Sequence, residues 1–309
     1  MQDSRRILVA SDMSESSALA EIRAAKLCRR FGFRGVELVN VQDTKFASMV
    51  DQVLGGDKRS HQLVAEQAKK DFAPLMERLS KEFDIDVSLK VLFGRPSVEI
   101  ARYAGESGAC MIVTGAKRPG IGKNFFIGNT PDRLLHVTPV PMLIVRKRPD
   151  NLYQHALIPI DFSENSKYAA RVAVKMMVPR ARKTLLHAYN IPDENLMHYA
   201  NVSSDIIGKF RRKAKESAEA AMAELVASLG GDKDSRISQV IEYGEPQKVI
   251  EDYVNANNPD LIIMGKQGRS QLERLLLGSI TRNTINATAC DMLVVPMKQE
   301  LPAPVEEAQ

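Results

Sequence analysis

One pattern runs through this chain twice. RRILVASDMSESSALAEIRAAKL near the start is matched by QHALIPIDFSENSKYAARVAVKM from Gln154, and VLFGRPSVEIARYA is matched by VIEYGEPQKVIEDYV. MIVTGAKR pairs with LIIMGKQG, and PMLIVRK with DMLVVPMK. Asp12 and Asp161 lie 149 positions apart, while Gly94 and Gly244, Gly115 and Gly265, and Gly128 and Gly278 each lie 150 apart. An offset that barely drifts over the whole length means one domain duplicated in tandem. The 309 residues suffice for two domains that each bury a core. RKRPDN, where charge and proline interrupt the apolar pattern, places the boundary between residues 1–149 and 150–309.

Within each copy short apolar runs alternate with helical patterns. In the second copy the strand-like runs are ALIPID, TLLHAY, RISQVIEY, DLIIMG and DMLVVP. Between them lie a helix opened by Ser163 as N-cap, a long helix over roughly Ser203–Leu229, one started by Pro246 and one in SITRNTINAT. This rhythm predicts an α/β fold: two tandem five-stranded parallel sheets, Rossmann-like, with helices on both faces. A 3-2-1-4-5 strand order is among the few that right-handed crossovers allow. In it the winding reverses between the first and fourth strands, and ligands of open α/β sheets bind beyond the carboxyl ends there. Asp161 ends the first strand and Gly265 the fourth, so both point into one crevice.

GKQGRSQLERLLLGSI, Gly265 to Ile280, follows the fourth strand. Gly265 and Gly268 let backbone amides approach an anion, and Ser279 stands at a helix start whose free N–H groups suit phosphate oxygens. Lys266, Arg269 and Arg274 are close enough in sequence to add positive charge. The competing reading is a plain strand-to-helix loop, and spacing alone leaves the two open.

Bulk properties narrow the class. No apolar stretch is long enough to cross a bilayer, and the apolar run at the start is too short for a secretory signal. Cys28, Cys110 and Cys290 are widely separated and show no metal spacing, which fits a reducing cytoplasm. The net charge of +5 comes from the first half, with 24 Lys and Arg against 18 Asp and Glu; the second half has 19 against 20. The excess is scattered, which is not a nucleic-acid footprint. The five histidines show no ligand spacing. The SLGGDKDS and VLGGDKRS segments imitate nucleotide loops but occupy the wrong places between elements, and GIGKN imitates the end of a P-loop with Lys117 at the first glycine position and no Ser or Thr after Lys123.

The second copy resembles the universal stress protein family, whose ATP-binding members carry G-x2-G-x9-G-[ST] after the fourth strand. Gly265, Gly268, Gly278 and Ser279 match it in full, and IPIDFSENS, DLIIMG and CDMLVVP are similar to the family's other segments. The resemblance implies an ATP-binding C-terminal domain, with Pro159, Ile160 and Asp161 at the adenine end beside Ala188. Met264, Gly265, Gln267 and Gly268 would wrap ribose and phosphates, with Arg269 nearby. Gly278, Ser279 and Ile280 would meet the phosphates from the helix start. Mg2+ would bridge phosphate oxygens instead of sitting in a protein cage.

The first copy departs from this pattern. Arg118 and Asn129 replace Gly268 and Ser279, Ala10 and Ser11 replace Pro159 and Ile160, and Asp12 is retained. The expectation is that this copy does not bind ATP. The resemblance implies a nucleotide-dependent regulator of stress survival with an unidentified regulatory partner protein. The alternative is a slow ATPase or autophosphorylating enzyme, although the motif supplies no evident general base. The apolar last strands, PMLIVR and DMLVVP, would be exposed edges unless they pair with each other, giving an internal pseudo-dimer; two chains would then form a homodimer. The Pro- and Glu-rich tail QELPAPVEEAQ reads as mobile.

Overall fold

The structure, a computed structural model, describes residues 3–43, 60–116, 127–191, 193–230, 236–268 and 277–296. The first half contains β1 (Asp3–Ala10), α1 (Glu15–Phe31), β2 (Phe33–Gln42), α2 (Ser60–Phe83), β3 (Val87–Phe93), α3 (Pro96–Glu106), β4 (Met111–Gly115), α4 (Asn129–Val137) and β5 (Met142–Val145). The second continues with β6 (His155–Pro159), α5 (Glu164–Met176), β7 (Arg182–Tyr189), α6 (Glu194–Tyr199), α7 (Ser204–Ser228), β8 (Ile237–Tyr243), α8 (Pro246–Asn257), β9 (Leu261–Gly265), α9 (Ser279–Ala287) and β10 (Asp291–Val295). The expected elements are present. α6 is an addition, a helix too short to announce itself by periodicity. The tail and the GIGKN and VLGGDKRS glycines lie outside the described residues, as does most of SLGGDKDS.

All ten strands form one sheet in the order β3-β2-β1-β4-β5-β10-β9-β6-β7-β8. Each half has the 3-2-1-4-5 order, and its internal pairings are parallel. The halves join through β5 and β10, which run antiparallel with Leu143 opposite Leu293. Each apolar edge strand therefore closes the other, as expected of an internal pseudo-dimer.

Neighbouring strand residues face opposite sides of the sheet, and both sides are dry. Ile7, Val9, Val113, Ile158 and Leu293 belong to one apolar cluster; Leu8, Ile112, Leu157, Ile262 and Met292 belong to the other. A strand covered on both faces needs an unbroken apolar run, which is why the strands do not alternate in sequence. α1 and α5 are capped alike: Ser14 accepts from Ser17 N at 3.3 Å, and Ser163 from Ser166 N at 3.2 Å.

Buried charges bind the halves together. Asp291, fully buried, accepts from Arg146 N at 2.8 Å, Lys147 N at 2.9 Å and the Tyr153 hydroxyl at 2.6 Å. Arg23 lies 3.5 Å from the same carboxylate, 4.1 Å above the Tyr153 ring, and donates to Asn151 O at 2.6 Å. The Arg146 guanidinium reaches the last turn of α9, donating to Ile285 O at 2.7 Å and to Thr288 O. Cations are favourable at a helix C-terminus, whose last carbonyls lack intrahelical donors.

Candidate functional site

The reversal of winding in the second half opens between β6 and β9, and a cavity of about 390 Å³ lies there. It brings together Pro159, Ile160, Asp161, Ala188, Met264, Gly265, Gln267, Gly268, Gly278, Ser279 and Ile280, every residue the resemblance implied except Arg269. Arg269 and Arg274 lie outside the described residues. Ser166, Leu186, Pro246, Ile250 and Thr281 complete the lining. Pro246 and Ile250 are one helical turn apart on α8, a pairing that the repeat comparison could have flagged.

One end is apolar: Pro159, Ile160, Leu186, Ala188, Pro246, Ile250 and Met264 make a slot suited to a flat ring. Its backbone is fixed from behind. Ile160 N donates to Leu186 O at 2.8 Å, and buried His187 donates Nδ1–H to Ile160 O at 2.7 Å, with its ring against Phe162. Phe162 has φ of 61°, rare for a bulky residue, and its repeat counterpart Met13 has 59°. This turn is held because Asp161 Oδ1 accepts from Ser163 N at 3.0 Å and Ser163 Oγ at 2.6 Å.

The other end is the start of α9. Gly278 is its N-cap and supplies no side-chain hydrogen bond, so the first N–H groups of the helix have no intrahelical acceptor at the cavity. Gly278 N donates to Lys266 O at 2.9 Å, which ties the start of α9 to the end of β9.

The glycines serve different ends. A Cβ on Gly265 would lie 3.0–3.2 Å from Asn165 atoms, so this glycine lets α5 sit against the end of β9. A Cβ on Gly268 would lie 2.8 Å from Asp161 Oδ2, so Gly268 keeps space in front of that carboxylate. Only the second is a constraint on the cavity itself.

Lys266 corrects the sequence reading. Its side chain is turned away from the cavity, buried, and donates Nζ to His136 O at 2.6 Å at the end of α4 in the first half. Burial lowers its pKa. Arg282 lies 3.3 Å from His136 Nε2, and burial followed by the Arg282 charge holds His136 below the ordinary histidine value. Thus α4 and α9 are each capped at the C-terminus by a cation of the opposite half. No sequence signal connects these partners.

The first half has a matching cavity of about 360 Å³, lined with more polar groups, including Ser11, Asp12, Asn40, Thr114, Asn129 and Thr130. Ser11 Oγ donates to buried Glu21 at 2.6 Å, and burial raises the Glu21 carboxyl. Asn40 donates to Ser11 O at 2.9 Å, the role His187 has in the second half. Thr114 and Ser11 replace the apolar Met264 and Ile160. Arg118 lies outside the described residues. Among the described residues no group of His, Cys, Asp and Glu has the arrangement of a metal site, and no helix is long and apolar enough to cross a membrane.

Fold and cavities define a tandem doubly wound α/β protein with one crevice per half. The family model described as "Universal stress protein family" matches residues 4–146 and again 152–296. The chain belongs to the universal stress protein family, as a tandem two-domain member. It is similar to universal stress protein MJ0577 of Methanocaldococcus jannaschii, 26% identical over 160 residues, covering 48% of this chain and 97% of that one. A putative universal stress protein of Staphylococcus aureus strain USA300 is 30% identical over 154 residues, covering 49% and 88%. A crystal structure of a universal stress protein from Archaeoglobus fulgidus shares the fold over both halves, with a TM-score of 0.70 at 19% identity, covering 96% of this chain and 99% of that one.

Proposed function

We propose that the second half binds ATP with Mg2+ and that the chain is a nucleotide-dependent regulator of stress survival, acting in the cytoplasm through a partner protein. The observation that carries this reading is a single cavity of about 390 Å³ with an apolar slot at one end and the uncapped start of α9 at the other. The slot fits a purine between aliphatic walls; the helix start with Gly278 and Ser279 fits phosphate oxygens. Asp161, the only carboxylate among the described lining residues, stands beside the apolar slot and suits base or ribose donors. Its Oδ1 is already taken up by Ser163, which favours a binding role over a general base. Mg2+, held by the phosphates, would offset their charge; no protein cage is required.

Bound nucleotide would shift the population of a surface that a partner reads. We assign the nucleotide domain to residues 150–309 and the degenerate copy to 1–149. Calorimetric titration of the nucleotide-stripped chain with ATP and Mg2+ tests this. One site per chain, lost in Gly268→Arg, is expected. No heat of binding, or two sites unaffected by that substitution, overturns it.

A further inference from the structure

Helices α2 and α7 hold the same place in the two copies but leave different side chains exposed. α7 packs Ile207, Ala218, Met222 and Leu225 inward, the stripe that an amphipathic helix needs against its sheet. The flank beside that stripe carries a second apolar pair, Ile206 and Phe210, 46% and 48% exposed, one helical turn apart. The preceding α6 adds Leu196 at 62% and Tyr199 at 89% exposure. Four of the nine exposed large apolar side chains among the described residues fall in this one stretch. The counterpart helix α2 shows only Leu63.

Positive charge concentrates at the same place. Residues 204–215 carry Lys209, Arg211, Arg212, Lys213 and Lys215 against one acid, Asp205, although the second half as a whole has 19 cations and 20 acids. Helix α2 is balanced, with four of each. Arg211 is used internally, bonded to Glu194 and stacked 4.5 Å from the Tyr243 ring centroid. Lys215 lies 3.7 Å from Glu219. Lys209, Arg212 and Lys213 have no ion-pair partner among the described residues, and Lys209 and Lys213 adjoin Ile206 and Phe210 on the helix surface.

We infer that α6 and the first three turns of α7 form a docking surface for an anionic lipid bilayer. Exposed aliphatic and aromatic side chains rimmed by lysine and arginine are the chemistry that inserts at a headgroup boundary, with cationic heads on lipid phosphates and apolar groups below. The lysine stems can lie along the apolar patch while their ammonium groups stay at headgroup level. Nucleic acid would satisfy the cations but leave Ile206, Leu196 and Phe210 in water. A second copy docking by the same face would set these cations against each other. The surface is one of reversible association, distinct from any spanning segment, and it is independent of the nucleotide reading.

The test is co-sedimentation of the full chain with vesicles of phosphatidylcholine alone and of phosphatidylcholine with phosphatidylglycerol, at low and high salt. Binding to the anionic vesicles only, released by salt, is expected. Ile206→Ser with Phe210→Ser should lower the partition coefficient by about tenfold, and Lys209→Glu with Lys213→Glu by at least about tenfold. All four side chains are exposed, so circular dichroism and melting should match the parent. Absence of binding to anionic vesicles at low salt overturns the inference. So does equal binding to neutral vesicles, binding that survives both double substitutions, or capture of nucleic acid or an acidic peptide in place of vesicles.

Discussion

Asp291→Asn should loosen the joint between the halves and destabilise the whole molecule. The substitution keeps the shape but replaces a carboxylate that accepts three hydrogen bonds, from Arg146 N, Lys147 N and the Tyr153 hydroxyl. An asparagine offers one acceptor oxygen and turns an NH2 toward at least one of those donors. Each charge-assisted bond lost costs about 1.5–3 kcal/mol. Arg23, 4% exposed, would keep its charge with no carboxylate beside it, and breaking a buried pair on one side costs about 3–5 kcal/mol. These contributions overlap, and a net loss of about 4 kcal/mol follows. In a chain of this size that lowers Tm by roughly 10 °C. Differential scanning calorimetry reads it directly, and limited proteolysis between Arg146 and Tyr153 should speed up in parallel. A Tm within about 2 °C of the parent, with unchanged proteolysis, would refute the view that Asp291 organises the joint.

Other outcomes follow from the same geometry. Gly268→Ala should keep the fold but weaken ATP binding by at least about tenfold in calorimetry, because its Cβ would press on Asp161 Oδ2 at 2.8 Å. Gly265→Ala should instead cost about 1–3 kcal/mol in urea unfolding, since α5 backbone must move to admit the new carbon. Lys266→Met should lower stability by about 1–2 kcal/mol through loss of the bond to His136 O, with hydrogen exchange speeding up at the end of α4. Acid should destabilise the protein through His136 and His155, whose pKa values are both lowered by burial and neighbouring arginines. The unfolded chain then binds more protons, so their contribution is complete above the unfolded histidine pKa and falls as pH drops through it. His136→Gln with His155→Asn should flatten that part of the Tm profile.

How far the sequence carried the account depends on the range of each interaction. Local patterns survived well. Ser163 and Pro246 start their helices where capping and proline geometry require, and the repeat offset located four of the five strand pairs in the two copies, all but β2 with β7. The cavity was legible because topology alone sends the ends of β6 and β9 into one crevice. Lys266 was not, because a place beside Gly265 and Gln267 says nothing about which way a side chain leaves the strand end. Its partner, His136 O, is 130 positions away. Asp291 stands in an ordinary apolar strand run, and its donors lie 138 to 145 positions earlier. The exposed pair on α7 was hidden for another reason. Ile206 and Ile207 are identical side chains in adjacent positions, and only the packed structure shows which of them faces water.

Nucleotide is expected in the crevice of the second half and not in that of the first. Photo-crosslinking of the full chain with 8-azido-ATP and Mg2+, followed by peptide mapping, tests it most directly. Label is expected in the segments around Pro159–Asp161 or Leu186–Ala188, suppressed by excess ATP and by Gly268→Arg. Label confined to Ala10–Asp12 or Val39–Val41, or no label that ATP can displace, would contradict it.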